Sequence, residues 1–158
     1  SGNKEETMTL VSVIGDFFSS VVPVFYEFKD KIDTHIIISD DSKRDDRLAR
    51  KFEKGLKKFI DKYNLNIKTL YYSIDEDSFE SLERAKEFIL KNSKGDIYIN
   101  TTDGLSSVNT FFSLRMIPLN AKIISYDMFD NEYHIITLNG MQREKIKKIV
   151  PIVDHFLL

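Results

Sequence analysis

The run Asn100-Thr-Thr-Asp-Gly-Leu-Ser-Ser107 concentrates groups that can bind an anion: four hydroxyls and a flexible glycine beside one carboxylate. It follows an alternating apolar stretch, Ile97 and Ile99, and precedes apolar residues at helical spacing, Leu105, Val108, Phe111, Phe112 and Met116. That order reads as strand, tight turn and helix N-terminus. Backbone N–H groups and hydroxyls at such a turn seat an anion, most often a phosphate. A second turn of the same kind, Gly15-Asp-Phe-Phe-Ser-Ser20, follows the first apolar strand. The candidate ligand-binding residues are therefore Gly15, Asp16, Phe17, Phe18, Ser19 and Ser20 in one turn. In the other they are Thr101, Thr102, Asp103, Gly104, Leu105, Ser106 and Ser107.

Each turn also has a plainer reading. Thr101, Thr102, Ser106 and Ser107 can serve only to cap the helix that follows. Phe17 and Phe18 can be core residues, with Ser19 or Ser20 as a cap, or they can stack on bases.

The run Asp40-Asp-Ser-Lys-Arg-Asp-Asp-Arg47 has the paired acids of a phospho-acceptor site. It lacks the companion Asp after the third strand and Lys after the fifth, where Tyr71-Tyr-Ser73 and Tyr126-Asp127 stand. It reads instead as a solvated helix start with acids at the positive end of the dipole, from which Arg44 or Arg47 reaches a phosphate. Arg50, Lys51, Lys54, Lys57 and Lys58 recur at helical spacing and read as a solvated face. His35, His134 and His155 are far apart without ligand spacing, and the chain has no Cys. No thiolate nucleophile or cysteine zinc site is available, no Gly-x-Ser-x-Gly elbow or phosphate loop of the Walker type occurs, and one glycine after strand 1 disfavours a dinucleotide cofactor. No catalytic set, metal site or cofactor is expected.

These turns must be positioned by strands and helices in alternation. Strands are predicted at 10–14, 34–38, 67–72, 97–100 and 121–126, with a sixth, antiparallel, at 133–138. Helices are predicted at 21–28, around Leu48 to Tyr63, after Asp77 with Glu80 as a capping box, and from Leu105 to near Pro118. A last short helix starts near Ile146 and is interrupted at Pro151. The uninterrupted Ile36-Ile-Ile38 suggests a strand buried on both faces, as in a parallel sheet. The expected fold is α/β, a Rossmann-like three-layer sandwich with sheet order 3-2-1-4-5 and strand 6 at the edge. The chain reverses direction between strands 1 and 4, where ligands bind in open α/β sheets. The two polar turns meet there.

The 158 residues suit one domain, and 42% hydrophobic content with 12 Phe and 7 Tyr supplies a packed core. A net charge of −2 gives no general basic field, so binding of long nucleic acid is not expected. No apolar run reaches the ~18 residues that span a bilayer. Residues 1–8 read as a frayed terminus. The opening Ser-Gly-Asn reads as the start of an excised piece, with upstream sequence missing. Residues 141–158 read as a helical tail whose Ile152, Val153, Phe156, Leu157 and Leu158 pack on the domain or on a dimer partner.

Residues 9–140 resemble a CARF domain, the CRISPR-associated Rossmann fold. The matching features are Gly15-Asp-Phe-Phe-Ser-Ser20, a second strand ending Ser39-Asp40, the run Asn100 to Ser106, and Ala121-Lys-Ile-Ile-Ser-Tyr-Asp127 with its following hairpin. The family's strand-4 motif reads Asn-x-Thr-Gly-Gly-Thr-Lys. Thr102 and Gly104 match it, while Asp103, Leu105 and Ser106 replace the first Gly, the second Thr and the Lys. The resemblance implies a homodimeric sensor of cyclic oligoadenylate, most often cyclic tetra-adenylate, in type III CRISPR antiviral defence. It adds Ser39 to the binding residues. With Ser106 in place of the basic residue, backbone amides and hydroxyls carry the binding. It also implies an effector segment, a nuclease or a membrane segment, lying outside this chain. The domain itself is expected in the cytoplasm. The alternative on the same cleft is a ring nuclease, assisted by Ser106, Ser107 or Asp103.

Overall fold

In the computed structural model, residues 6–15 and 21–148 are described. The elements run β1 (Met8–Ile14), α1 (Val22–Phe28), β2 (Ile32–Asp40), α2 (Lys43–Lys62), β3 (Lys68–Ile74), α3 (Phe79–Asn92), β4 (Asp96–Asn100), α4 (Ser106–Met116), β5 (Lys122–Asp127), β6 (Glu132–Thr137) and β7 (Gly140–Lys145). One seven-stranded sheet has the order β3-β2-β1-β4-β5-β6-β7. The first five strands are parallel, and β6 and β7 are antiparallel.

All seven residues of β1 are buried, because both faces of the strand are covered. Leu10 and Ile37 face α1 and α2, where Phe25, Phe52 and Phe59 complete one core. Val11, Val13, Ile36, Ile38 and Ile99 face α3 and α4, against Leu82, Ile89 and Phe112. The alternation along each strand therefore splits the apolar residues between two helical layers.

Three sequence expectations shift. β7, at the edge in place of strand 6, occupies what was read as the start of a helical tail. Its six residues are all exposed, so periodicity carried no trace of it. The turn did: Thr137 pairs with Gly140 across Leu138-Asn139, and Asn139-Gly140 is a hairpin signal. The chain just beyond β7, residues 146–148, is not helical. Its Lys147 N–H donates to Glu27 at 2.7 Å, tying it to α1. The apolar residues 149–158 lie outside the described residues. The cap of α3 is Ser78, not Asp77. Ser78 Oγ accepts from the Ser81 N–H at 3.1 Å, and Ser81 Oγ accepts from the Asp75 N–H at 2.9 Å.

His35 sits wholly inside the α1 side of the sheet, stacked on Phe25 at 5.2 Å and bonded through Nε2 to Ser12 Oγ at 2.8 Å. Burial depresses its pKa from 6.5 to about 3, so the folded protein holds it neutral. The unfolded chain takes up a proton below pH 6.5 and the fold does not. Stability contributed by the neutral ring is therefore complete above that pH and lost as pH falls toward 3. At about 1.4 kcal/mol per unit the full loss is on the order of 5 kcal/mol. Urea unfolding at pH 7 and pH 4 measures it, and His35→Gln flattens the dependence.

Candidate functional site

The carboxyl ends of β1 and β4 are adjacent, with Ser12 paired to Asn100. Their two turns touch backbone to backbone. A Cβ on Gly15 would lie 2.8 Å from Gly104 Cα and 2.9 Å from Gly104 N. Gly104 adopts φ +86°, and a Cβ there would meet Val13 Cγ1 at 2.7 Å. Both positions require glycine, the second for its dihedral as well as its space.

Asp103 fastens the turns together. Its Oδ2 accepts from the Gly15 N–H at 3.1 Å and its Oδ1 from the Gly104 N–H at 2.9 Å. The residue is only 6% exposed. Asn109 adds a second tie from inside α4, donating to the Asp103 carbonyl at 2.7 Å and the Thr101 carbonyl at 3.3 Å.

The hydroxyls do not cap α4. Thr101 Oγ1 donates to the Ile124 carbonyl at 3.3 Å. Thr102 Oγ1 donates to Asn100 Oδ1 and accepts from the Tyr126 N–H at 3.0 Å. Both threonines thus bind the turn to β5. Ser106 and Ser107 are exposed in the first turn of α4, and the N-cap, Leu105, offers no side-chain acceptor. A helix whose first N–H groups lack a capping side chain is open to an outside acceptor.

A cleft of about 540 Å³ opens over the carboxyl ends of β3, β2, β1 and β4. Its apolar lining comes from Val13, Ile14, Ile74, Leu105 and Val108, and Gly15, Asp103 and Gly104 form one wall. Asp40, Ser42, Arg44 and Glu76 stand along the opposite side. The size and the mix of apolar floor with few polar groups suit a small ligand. Asp40 shapes its loop by accepting from the Ser42 N–H and the Glu76 N–H, each at 3.2 Å.

The structure thus brings together Gly15, Arg44, Asp103, Gly104 and Leu105. Ser106 and Thr101 instead line a shallow groove along α4, with Asn109, Thr110, Ser113 and Leu114. Ser39 is fully buried and does not line the cleft. It points to the α2 side, bonding the Asp40 carbonyl and the Tyr71 hydroxyl. Strand parity explains this, since Ser39 shares a face with Ile37 and turns away from the α3 side. Burial, and then the 2.6 Å bond to Asp46, push Tyr71 up to about 12, so it remains a neutral donor. Asp16, Phe17, Phe18, Ser19 and Ser20 lie outside the described residues. Asp40, Glu76 and Asn109 were missed from sequence. The Ser39-Asp40 strand end pointed to the first of them.

Asp127, Asp130 and Glu132 place carboxylate oxygens within 4.8 Å of one another, as a metal site would need. Glu132 already lies between Arg143 at 3.4 Å and Lys145 at 3.5 Å. Among the described residues, no helix is long and apolar enough to cross a membrane.

No family model matches the sequence, and no curated protein matches it. Solved structures do. Can2 from Sulfobacillus thermosulfidooxidans, in complex with cyclic tetra-adenylate, superposes with TM-score 0.66 at 14% identity, over 88% of this chain and 37% of Can2. Csm6 from Enterococcus italicus, bound to cyclic hexa-2′-fluoro-hexa-dAMP, gives 0.58 at 17% identity, over 76% of this chain and 33% of Csm6. This chain has the CARF fold. A type III CRISPR defence DNA nuclease activated by cyclic oligoadenylate shares it, with TM-score 0.52 at 12% identity over 89% of this chain and 21% of that one. The chain spans well under half the length of each. Within the CARF fold, the β1 and β4 turns described above sit at the point where the strand order reverses.

Proposed function

We propose that this chain is a sensor domain for cyclic oligoadenylate, with cyclic tetra-adenylate as the first candidate. In this reading a homodimer binds one ring and passes the event to an effector segment outside the chain, within type III CRISPR antiviral defence. The observation that carries it is the backbone-to-backbone lock of Gly15 on Gly104 at the head of a cleft of about 540 Å³. Two of the fold's solved neighbours, Can2 and Csm6, were captured with cyclic oligonucleotides.

The phosphates sit at the uncapped first turn of α4, beside the exposed Ser106 and Ser107. An adenosine fits the cleft, with its base on Val13, Ile74 and Val108 and its hydroxyl or amino donors facing Glu76. Arg44 stands at the rim, where it draws phosphate inward. Exposed leucines on and beside α4, Leu105 at 47% and Leu114 at 70%, supply a face that a second copy covers. A two-fold pair then presents two identical seats to one symmetric ring.

Titration calorimetry with cyclic tetra-adenylate tests the reading. One ring per two chains is expected, with a dimer by sedimentation. A monomer that gives no heat with rings of any size removes the proposal. Labelled ring incubated for hours is expected to stay intact. Linear products that disappear in Ser106→Ala would replace the sensor with a ring nuclease.

A further inference from the structure

The net charge of −2 conceals a strong segregation. α2 holds nine Lys or Arg against four Asp or Glu, whereas the whole chain has 23 against 25. The rest of the molecule, with 14 Lys or Arg against 21 Asp or Glu, is therefore acidic, while α2 carries a net positive charge. At about 100° per residue, Arg44, Arg47, Lys51, Lys54, Lys58 and Lys62 fall within an arc of about 80° and extend over about 27 Å. All six are exposed. Two of the acids of the helix are spent elsewhere. Asp46 and Glu53 pair with Arg50 at 3.8 and 3.7 Å, and Glu53 also with Lys57 at 3.9 Å. Among the described residues, Arg47, Lys51, Lys54 and Lys58 form no ion pair.

We infer that the outer stripe of α2 is a docking track for the phosphodiester backbone of a nucleic-acid strand, separate from the cleft. Three features select that occupant. The helix cannot lie in a membrane surface, because its apolar residues Phe52, Leu56 and Phe59 are already buried in the core. The stripe itself holds no exposed apolar or aromatic anchor, which a protein interface needs at its centre. Regularly spaced, unneutralised cations are what a chain of phosphates requires, since each contact releases a condensed counterion. The track runs from Arg44, at the rim of the cleft, to Lys62 at the far end of the helix, where Tyr63 is 41% exposed and lies under the Lys62 ammonium at 5.5 Å. An exposed ring there can stack on one base of a single strand.

The test is fluorescence anisotropy with a labelled 20-nucleotide single-stranded RNA of mixed sequence, at salt from 50 to 200 mM. Saturable binding is expected, with a log–log salt slope of about −3, for roughly four contacts at 0.7 each. Replacing Lys51, Lys54 and Lys58 together with Gln is expected to weaken binding at least tenfold and to reduce the slope by about 2. The melting temperature should hold, because all three side chains are exposed. Gly104→Ala, in the cleft wall, is expected to leave strand binding unchanged, which separates this result from any outcome with cyclic ligands. The inference is overturned by absence of RNA binding at 50 mM salt, by equal affinity of the triple Gln variant, or by an acidic polyglutamate peptide binding as tightly as RNA.

Discussion

Gly15→Ala is expected to weaken binding of cyclic tetra-adenylate about a hundredfold while the domain still folds. The added methyl would stand 2.8 Å from Gly104 Cα and 2.9 Å from Gly104 N, both backbone atoms that no rotamer change can clear. One turn must move, and overpacking of this kind costs about 1–3 kcal/mol. The displaced turn carries the Gly15 N–H away from Asp103 and changes the shape of the cleft wall. A misplacement of this size in a preorganised seat is expected to lower affinity by a factor of about 100. Calorimetry on the variant, with a thermal melt beside it, checks both halves. Normal affinity would show that the contact of the two turns is irrelevant to the ligand.

Asp103→Ala is the second large effect. The carboxylate is a strut: it accepts the two N–H groups that join the turns and is almost wholly buried. Hydrogen bonds to a charged group contribute about 1.5–3 kcal/mol each, and the orphaned amides add their own desolvation. A loss of about 3 kcal/mol is expected, or roughly 10 °C in a domain of this size. Ligand affinity is expected to fall with it, because the turns are no longer held. Asp103→Asn keeps one acceptor oxygen and is expected to lie between. Tighter binding by either variant would mean that Asp103 competes with phosphate for the same amides and acts as a gate. The present account excludes that result.

Much of the fold was legible because its signals are local. The Ile36-Ile-Ile38 run reports a strand buried on both faces, and the helical spacing of Leu48, Phe52, Leu56 and Phe59 reports the covering layer. The order 3-2-1-4-5 followed from strand–helix alternation and right-handed crossovers. β7 escaped because it buries no side chain and is held by backbone pairing and by surface ion pairs to Glu132.

The site was legible in place and only partly in role. Both switch-point turns were located, yet Thr101 and Thr102, read as binding or capping groups, tie β4 to β5. Asp103 was read as a binding residue, and it is the bridge between two turns 88 residues apart in sequence. Such roles are set by what tertiary packing brings within reach, and nothing in the spacing of one turn records them. Ser39 failed for a simpler reason: a one-residue step along a strand reverses its face.

The central claim is that the Gly15 and Gly104 turns together form the ligand seat. Amide NMR of the 18.4 kDa chain, titrated with cyclic tetra-adenylate, addresses it most directly. The account predicts that the largest shifts fall on the N–H groups of Gly15, Gly104, Leu105 and Ser106, with smaller ones at Glu76, and that the amides of α2 beyond its first turn stay still. Shifts centred elsewhere, or none at all with folded protein and excess ring, would contradict it.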